Sequence, residues 1–345
     1  MGLNAIKILN FRNYERIELS PFGKFNVLVG INGSGKTNFL EAIFTLSQNK
    51  PFRKVSMEDL IEWGKPSFYI GGTFGTAKKE IGYSLQKKML RQNNSLLSPV
   101  VVCLPDDITI VSGSPEERRA FMDRTIGLLD RDYAQALLLF QRVLRQRNAQ
   151  LKISARDVHI WDEDFVKYGS LVIEKRLIFM QKIGRRVKDI YSEFYGDEVE
   201  LKYFNTFKIE GGVRQSFVKA LEENKTIESR RKVSMSGPHR DNFEIRKHDK
   251  KSRVFASQGQ TRLLALALKL SLLEDLAREP AGPAPILLLD DVLLELDEKS
   301  RTKFLEKTAS FQTFLTTTSL DLLKGFTGDP AGENIFFVDN GTIKI

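Results

Sequence analysis

The octapeptide Gly30-Ile31-Asn32-Gly33-Ser34-Gly35-Lys36-Thr37 constrains this chain more than any other feature. It follows an apolar run, Phe25 to Val29, and opens a helical stretch from Asn38 to Leu46. That context and spacing are those of a phosphate-binding loop. Glycines at both ends let the backbone wrap closely, its N–H groups point at the phosphates, and the positive end of the following helix adds to the attraction. Lys36 then reaches the β- and γ-phosphates. Thr37 offers its hydroxyl to Mg²⁺, which bridges the same phosphate oxygens and needs hard oxygen ligands. The expected nucleotide-binding residues are therefore Gly30 to Thr37 together with Asn38. A glycine-rich strand-to-helix turn without a ligand is the plain alternative, and eight matching positions between a strand and a helix weigh against it.

A second part of the same site is expected far along the chain. Ile286-Leu287-Leu288-Leu289-Asp290-Asp291 is an apolar strand ending in two carboxylates, as a central parallel strand delivering an acid beside the phosphate loop would be. Asp290 is the expected Mg²⁺ partner, through water. Asp291 is the candidate general base or water-positioning group for attack on the γ-phosphate. Ser257-Gln258-Gly259-Gln260 opens a helix, Thr261 to Leu276, and makes a second anion site from a serine hydroxyl and free backbone N–H groups. One nucleotide needs one such cradle. The economical reading is a composite site, in which this turn closes over the γ-phosphate held by another protomer, with Glu295-Leu296-Asp297 at the same seam. In isolation a serine at a helix N-cap is common.

Over 345 residues the first hundred alternate like strands: Ala5 to Leu9, Ile17 to Leu19, Phe25 to Val29, Phe68 to Phe74, Ile81 to Gln86 and Val100 to Leu104. From Pro115 to about Tyr195 the spacing turns helical, and its last helix, from about His159 to Tyr195, would be roughly 50 Å long, with Gly169 and Gly184 as places to bend. A polar stretch, Glu222 to Lys232, precedes the return of the α/β pattern. A helix from Gly259 to Arg278 is broken by Glu279-Pro280-Ala281-Gly282-Pro283, and Phe336 to Val338, an Asp339-Asn340-Gly341 turn and Thr342 to Ile345 read as a terminal hairpin. The expected division is an N-terminal head part over 1–114, an inserted helical lobe over 115–196, and a C-terminal head part over 197–345. Lys plus Arg outnumber Asp plus Glu by 53 to 44, a net charge of +9 that suits a polyanionic partner without naming one. The N-terminus carries no apolar signal core, no run approaches a membrane span, and the single cysteine, Cys103, lies in an apolar run as a small hydrophobe. A cytoplasmic protein with no membrane attachment is expected.

The order of these motifs resembles that of ABC-type ATPase heads, an α/β P-loop NTPase fold with an inserted helical lobe, and in particular the bacterial RecF family of recombination and repair proteins. The stretches that carry the resemblance are Asn10-Phe11-Arg12-Asn13-Tyr14, Gly30 to Asn38, Gly113-Ser114-Pro115 with Arg118-Arg119, and Gln146-Arg147-Asn148. Ser236-Gly237-Pro238-His239-Arg240-Asp241, Ser257-Gln258-Gly259-Gln260 and Leu287-Leu288-Leu289-Asp290-Asp291-Val292 complete it. One departure is Leu294, where the family usually has serine. The resemblance implies ATP with Mg²⁺, an ATP-dependent homodimer on double-stranded DNA or single-strand/double-strand junctions, and slow, DNA-stimulated ATP hydrolysis. It also implies cooperation with RecR and RecO in loading RecA, with Ser257 to Gln260 acting in trans as the signature turn.

Several residues carry two readings. Arg142, Arg145 and Arg147, with Arg118, Arg119 and Lys152, concentrate positive charge on the lobe and could touch DNA phosphates, or form a solvated mixed-charge face with Glu116, Glu117 and Asp123. Arg12 is a candidate for the γ-phosphate or DNA, or a plain surface arginine. Thr316, Thr317 and Thr318 end an apolar strand, where Thr317 is a candidate sensor and buried β-branched packing the alternative. Asp297 is a seam candidate, while His239 and Arg240 follow Gly-Pro in a turn expected to expose its side chains. Among other functions, a transporter's nucleotide-binding subunit uses the same motifs, but about 220 residues separate Lys36 from Ser257, filled partly by a lobe with no membrane-docking pattern. An SMC chromosome organiser needs hundreds of residues of heptads. A GTPase lacks support, since Asn224-Lys225-Thr226-Ile227 has no aspartate. A non-hydrolysing, ATP-gated DNA clamp is the alternative that stays open.

Overall fold

The computed structural model describes residues 2–87, 89–92, 98–278, 282–323 and 333–345. Part of the expected helix break, 279–281, lies outside the described residues. In chain order the strands are β1 (Leu3–Phe11), β2 (Tyr14–Leu19), β3 (Phe25–Val29), β4 (Ser67–Phe74), β5 (Ala77–Ser84), β6 (Met89–Gln92) and β7 (Val100–Cys103). They continue as β8 (Glu200–Phe204), β9 (Asn242–Lys247), β10 (Lys250–Lys251), β11 (Ile286–Asp290), β12 (Gln312–Thr317), β13 (Glu333–Asp339) and β14 (Thr342–Lys344). The α-helices are α1 (Lys36–Gln48), α2 (Thr109–Ser112), α3 (Pro115–Leu129), α4 (Arg131–Ile153) and α5 (Asp162–Tyr195). After these come α6 (Val213–Arg231), α7 (Ser252–Phe255), α8 (Gln258–Ala277) and α9 (Glu298–Thr308).

Two compact units emerge, one of Met1–Asp107 with Lys269–Ile345, the other of Ile108–Leu268. The first holds a six-stranded sheet ordered β14-β13-β3-β12-β11-β7 and a five-stranded antiparallel sheet ordered β2-β1-β4-β5-β6. In the larger sheet β13, β3, β12, β11 and β7 run parallel, and β14 closes the edge as the antiparallel half of the terminal hairpin. A parallel strand is covered on both faces, which is why all five residues of β11 are buried although four of them are consecutive aliphatics. Phe22 fills the space beside α1, meeting Phe39, Phe314 and Phe336 edge-on at ring-centre distances of 6.2, 5.0 and 5.7 Å. Each such fully buried ring contributes about 1.5–3 kcal/mol. Cys103 is buried on β7, and burial pushes its thiol up to about 12, as a packing residue requires.

The second unit packs α3, α4, α5 and α6 with the small sheet β10-β9-β8. It is wider than the 115–196 lobe expected from helical spacing, because α6 and β8 pack on α5 and β9 packs on α3. The polar stretch 222–232 is largely the second half of α6, whose buried face repeats at Val213, Phe217, Ala220, Leu221 and Glu228. Helix α5 runs unbroken for 34 residues. At Gly169 a Cβ would stand 2.6 Å from Phe217 and 3.0 Å from Phe140, so the glycine lets those rings press against the helix backbone. No helix among the described residues is long and apolar enough to cross a membrane.

Candidate nucleotide-binding site

Strand β3 delivers the loop Gly30 to Gly35 at the end of the parallel sheet, and α1 leaves from Lys36. Two glycines are obligatory for identifiable reasons. A Cβ on Gly30 would lie 2.3 Å from the Val338 carbonyl oxygen, and Gly35 sits at φ +118° with Asn13 2.5 Å from where its Cβ would be. Gly35 is also the N-cap of α1, which has no side-chain cap and no acidic residue in its first turn. The helix therefore presents bare N–H groups and the positive end of its dipole, the two properties that attract an anion. Lys36 is buried, its Nζ donating to the carbonyl oxygens of Gly30 at 2.8 Å and Ile31 at 3.1 Å, so the ammonium lies over the loop.

Of the two strand-end acids, Asp290 reaches the residue that follows the loop and Lys36. Thr37 Oγ1 donates to Asp290 Oδ1 at 2.8 Å, although the two are 253 positions apart. Thr316, at the end of β12, completes the arrangement: its hydroxyl donates to Asp290 Oδ1 at 2.9 Å and accepts the Asp291 N–H at 2.9 Å. Burial raises the Asp290 pKa, opposed by the Thr37 and Thr316 hydrogen bonds and reinforced by the neighbouring Asp291 charge. Asp291 adopts φ +52°, a conformation costly for a residue with a side chain, and its Oδ1 is buried with no hydrogen-bond partner among the described residues. Hard oxygens from Thr37 and Asp290 fit Mg²⁺, which binds through one or two protein groups plus phosphates and water. No cluster of three acidic, histidine or cysteine side chains suited to a metal occurs among the described residues.

Residues outside the recognised loop brace it. Asn13, in the turn between β1 and β2, donates to the Ser34 carbonyl at 3.1 Å and accepts from Asn38 at 2.8 Å. Buried Tyr14 donates to the Gly35 carbonyl at 2.9 Å. From the terminal hairpin, Gly341 N–H donates to the Ser34 carbonyl at 3.2 Å. Asn13 and Tyr14 were within reach of sequence reading only as part of the Asn10–Tyr14 run that carries the resemblance, and Thr316 only as one of three threonines. Arg12 lies in the same turn at φ +56°, its Nε on buried Glu41 at 2.9 Å and its Nη1 on the Asp59 carbonyl at 3.0 Å. Glu41 also draws Arg53 to 3.5 Å. Arg12 is thus tied to α1 one turn beyond Thr37.

The remaining candidates separate. Thr317 spends its hydroxyl on the Ser319 carbonyl at 2.9 Å, and its own carbonyl accepts the Gly30 N–H at 3.2 Å, so it supports the loop from behind. Asp297 caps α9, accepting from Ser300 N–H at 2.9 Å and Ser300 Oγ at 2.7 Å, bonds that hold its pKa low. Ser257 caps α8 in the second unit, sharing reciprocal bonds with Gln260, whose N–H donates to Ser257 Oγ at 3.3 Å while Ser257 N–H donates to Gln260 Oε1 at 2.9 Å. Ser257 and Gln258 are exposed.

Arg142 and Arg145 are exposed on α4, but Arg147 is 2% exposed and is not a surface residue. It pairs with Glu228 at 2.7 Å and Asp162 at 2.8 Å and lies over the Phe165 ring, a buried cation made tolerable by charge partners. With Asn148 it holds Ser234, and Ser234 in turn anchors the following Gly-Pro turn through its carbonyl, which accepts from Arg240 Nε at 2.8 Å. His239 is not exposed in that turn as expected. It packs on Phe140 and Phe165, and burial lowers its pKa to about 4.

Residues 2–67 match the family described as RecF/RecN/SMC N terminal domain. The DNA replication and repair protein RecF of Clostridium novyi (strain NT) is 32% identical over 363 residues, covering 100% of both chains. A solved structure described as the recombination mediator protein RecF-ATPrS in the RecFOR pathway superposes with TM-score 0.87 at 31% identity, covering 99% of this chain and 97% of the other. An Smc head domain from Pyrococcus furiosus shares the fold alone, at TM-score 0.54 and 16% identity over 99% of this chain and 95% of that one.

Proposed function

Since the chain belongs to the RecF family of DNA replication and repair proteins, we propose that it is an ATP-gated DNA-binding protein of recombinational repair, whose two copies close around nucleotide and hold duplex DNA or a single-strand/double-strand junction. The observation that supports this reading is the hydrogen-bonded chain Thr37–Asp290–Thr316–Asp291 at the end of the phosphate loop, which draws the Thr37 hydroxyl, the Asp290 carboxylate and the Asp291 backbone together from three separate segments. Bound Mg²⁺ would neutralise charge on the β- and γ-phosphates. Lys36 would leave the loop carbonyls for those phosphates, Thr37 and Asp290 would orient the cation, and Asp291 would position the attacking water.

A single copy holds one phosphate loop and one exposed serine turn, Ser257 to Gln260. In the composite reading each copy's turn closes over its partner's nucleotide, so ATP acts as the glue of the dimer. The RecFOR pathway named for the related structure supports RecR and RecO as partners, and RecA loading is the outcome that the family resemblance implies. The alternative of a clamp that never hydrolyses is less well served by a buried, unpartnered Asp291 oxygen in a strained backbone, features that gather where chemistry is done. Sedimentation with a non-hydrolysable ATP analogue and duplex DNA tests the proposal. Wild-type protein should move as a dimer and Lys36→Met as a monomer; a wild-type monomer under saturation would refute it. Asp291→Asn should still dimerise while its phosphate release falls at least tenfold, and unchanged release would favour the clamp.

A further inference from the structure

A cavity of about 350 Å³ in the second unit opens beside the start of α3, near β9 and α7, and its lining includes Ile110 and Ile245 together with Arg118, Lys251 and Arg253. Arg118 is held facing it by Asn242 Oδ1 at 2.8 Å from Nε and the Gly113 carbonyl at 2.8 Å from Nη1. The carboxylate at the cavity, Glu244, is already engaged: Arg246 donates to Oε2 at 3.1 and 2.9 Å, and Lys251 to Oε1 at 2.6 Å. Glu117, the next nearest acid, closes the capping box of α3 with Ser114. Arg253 is exposed and has no hydrogen-bond or ion-pair partner among the described residues. Dehydration lowers the Arg118 pKa, and the Arg253 charge pushes the same way. The motif Gly113-Ser114-Pro115 with Arg118, which the nucleotide site does not use, therefore lines a cationic cavity with more positive than negative charge.

We propose that this cavity is a phosphate site, in which Arg253 and the fixed Arg118 guanidinium bind the anion's oxygens and the isoleucine wall accommodates the carbon skeleton attached to it. Guanidinium groups suit the task because their planar forks meet phosphate oxygens in pairs. A half-enclosed position strengthens that attraction over a fully solvated lysine patch. The phosphate can come from a nucleic-acid backbone or from free phosphate; the first source rests on the DNA-binding reading above. Either way, occupation bears on α7, which leads through Ala256 straight into Ser257, so the site would steady the segment that presents the serine turn.

The test uses the full chain with its phosphate loop saturated by a non-hydrolysable ATP analogue, comparing wild type with Arg253→Gln and Arg253→Lys. Melting temperature is followed with sodium phosphate against chloride of equal ionic strength, and duplex affinity is titrated over salt by fluorescence anisotropy. Wild type and Arg253→Lys should be stabilised by phosphate beyond chloride, and Arg253→Gln should not. For a backbone source, Arg253→Gln should also weaken binding alike on unrelated duplex sequences and flatten the dependence of log affinity on log salt by about 0.9, the release expected for one phosphate contact. Loss of the melting effect with an unchanged salt slope would assign the site to free phosphate. An Arg253→Gln protein matching wild type in both measurements would overturn the site. A wild-type protein that bound no duplex would count against the proposed function alone, since the melting comparison would still decide the cavity.

Discussion

Thr316 joins two carboxylate residues with one hydroxyl, donating to Asp290 and accepting from the Asp291 backbone. Thr316→Val keeps the shape and removes both bonds, leaving a buried N–H unmatched, and should lower stability by about 1–3 kcal/mol in denaturant titration. It should also cut ATP turnover more than ATP affinity, because Asp291 loses its backbone tether while Lys36 and the loop remain. His239 makes a separate prediction. Its pKa of about 4 in the fold lies below the ordinary 6.5, so the unfolded chain takes up the proton first as acid is added. Stability should therefore be full above about pH 6.5 and decline as pH falls towards 4, and His239→Gln should flatten that part of the stability profile. The two positions mark the limits of reading residues from a sequence. Lys36, Thr37 and Asp290 were legible because their chemistry demands a fixed spacing next to a strand and a helix. Thr316 was not, since a threonine run at a strand end equally describes β-branched packing. Arg147 looked like its exposed neighbours Arg142 and Arg145, because its partners Glu228 and Asp162 come from other helices and leave no local signature.

The terminal hairpin, β13 and β14, was legible as an element from its Asp-Asn-Gly turn, but its role was not. Gly341 stands at φ +79°, and a Cβ there would lie 2.1 Å from the Asn13 carbonyl oxygen. Gly341→Ala should push apart the hairpin and the Asn10–Tyr14 turn, the two braces that share the Ser34 carbonyl. The expected result is a loss of about 1 kcal/mol or more in stability and weaker binding of an ATP analogue by calorimetry. The same change at Gly64, which has φ +79° with open space around it, should cost stability without touching nucleotide affinity. Helix α6 escaped the sequence reading for a complementary reason. Its exposed face is so rich in Lys, Arg and Glu that the stretch 222–232 reads simply as polar, and only the spacing of Phe217, Leu221 and Glu228 betrays the buried side.

For the molecule as a whole, the architecture of an ATPase head interrupted by a helical insertion was readable from motif order, whereas the extent of the second unit depends on packing between α5, α6 and β8 that no local pattern announces. Ser257→Arg should bind nucleotide as wild type does and yet sediment as one copy in the presence of ATP analogue and DNA, since the added side chain occupies the exposed turn; a dimer of normal strength would remove the composite site. The strand order of the large sheet, in which β3 lies between β13 and β12, has a consequence for biosynthesis. The strand that bears the phosphate loop is made well before either of its neighbours, β12 and β13. From Val29 to Gln312 is 283 residues by subtraction, so at 5–20 residues per second the nascent β3 waits roughly 15–55 s without a hydrogen-bonding partner. A protein expressed this way is a natural client for chaperones that shelter apolar strands, and a chain that stops before β12 and β13 leaves the strand that carries the phosphate loop without its neighbours.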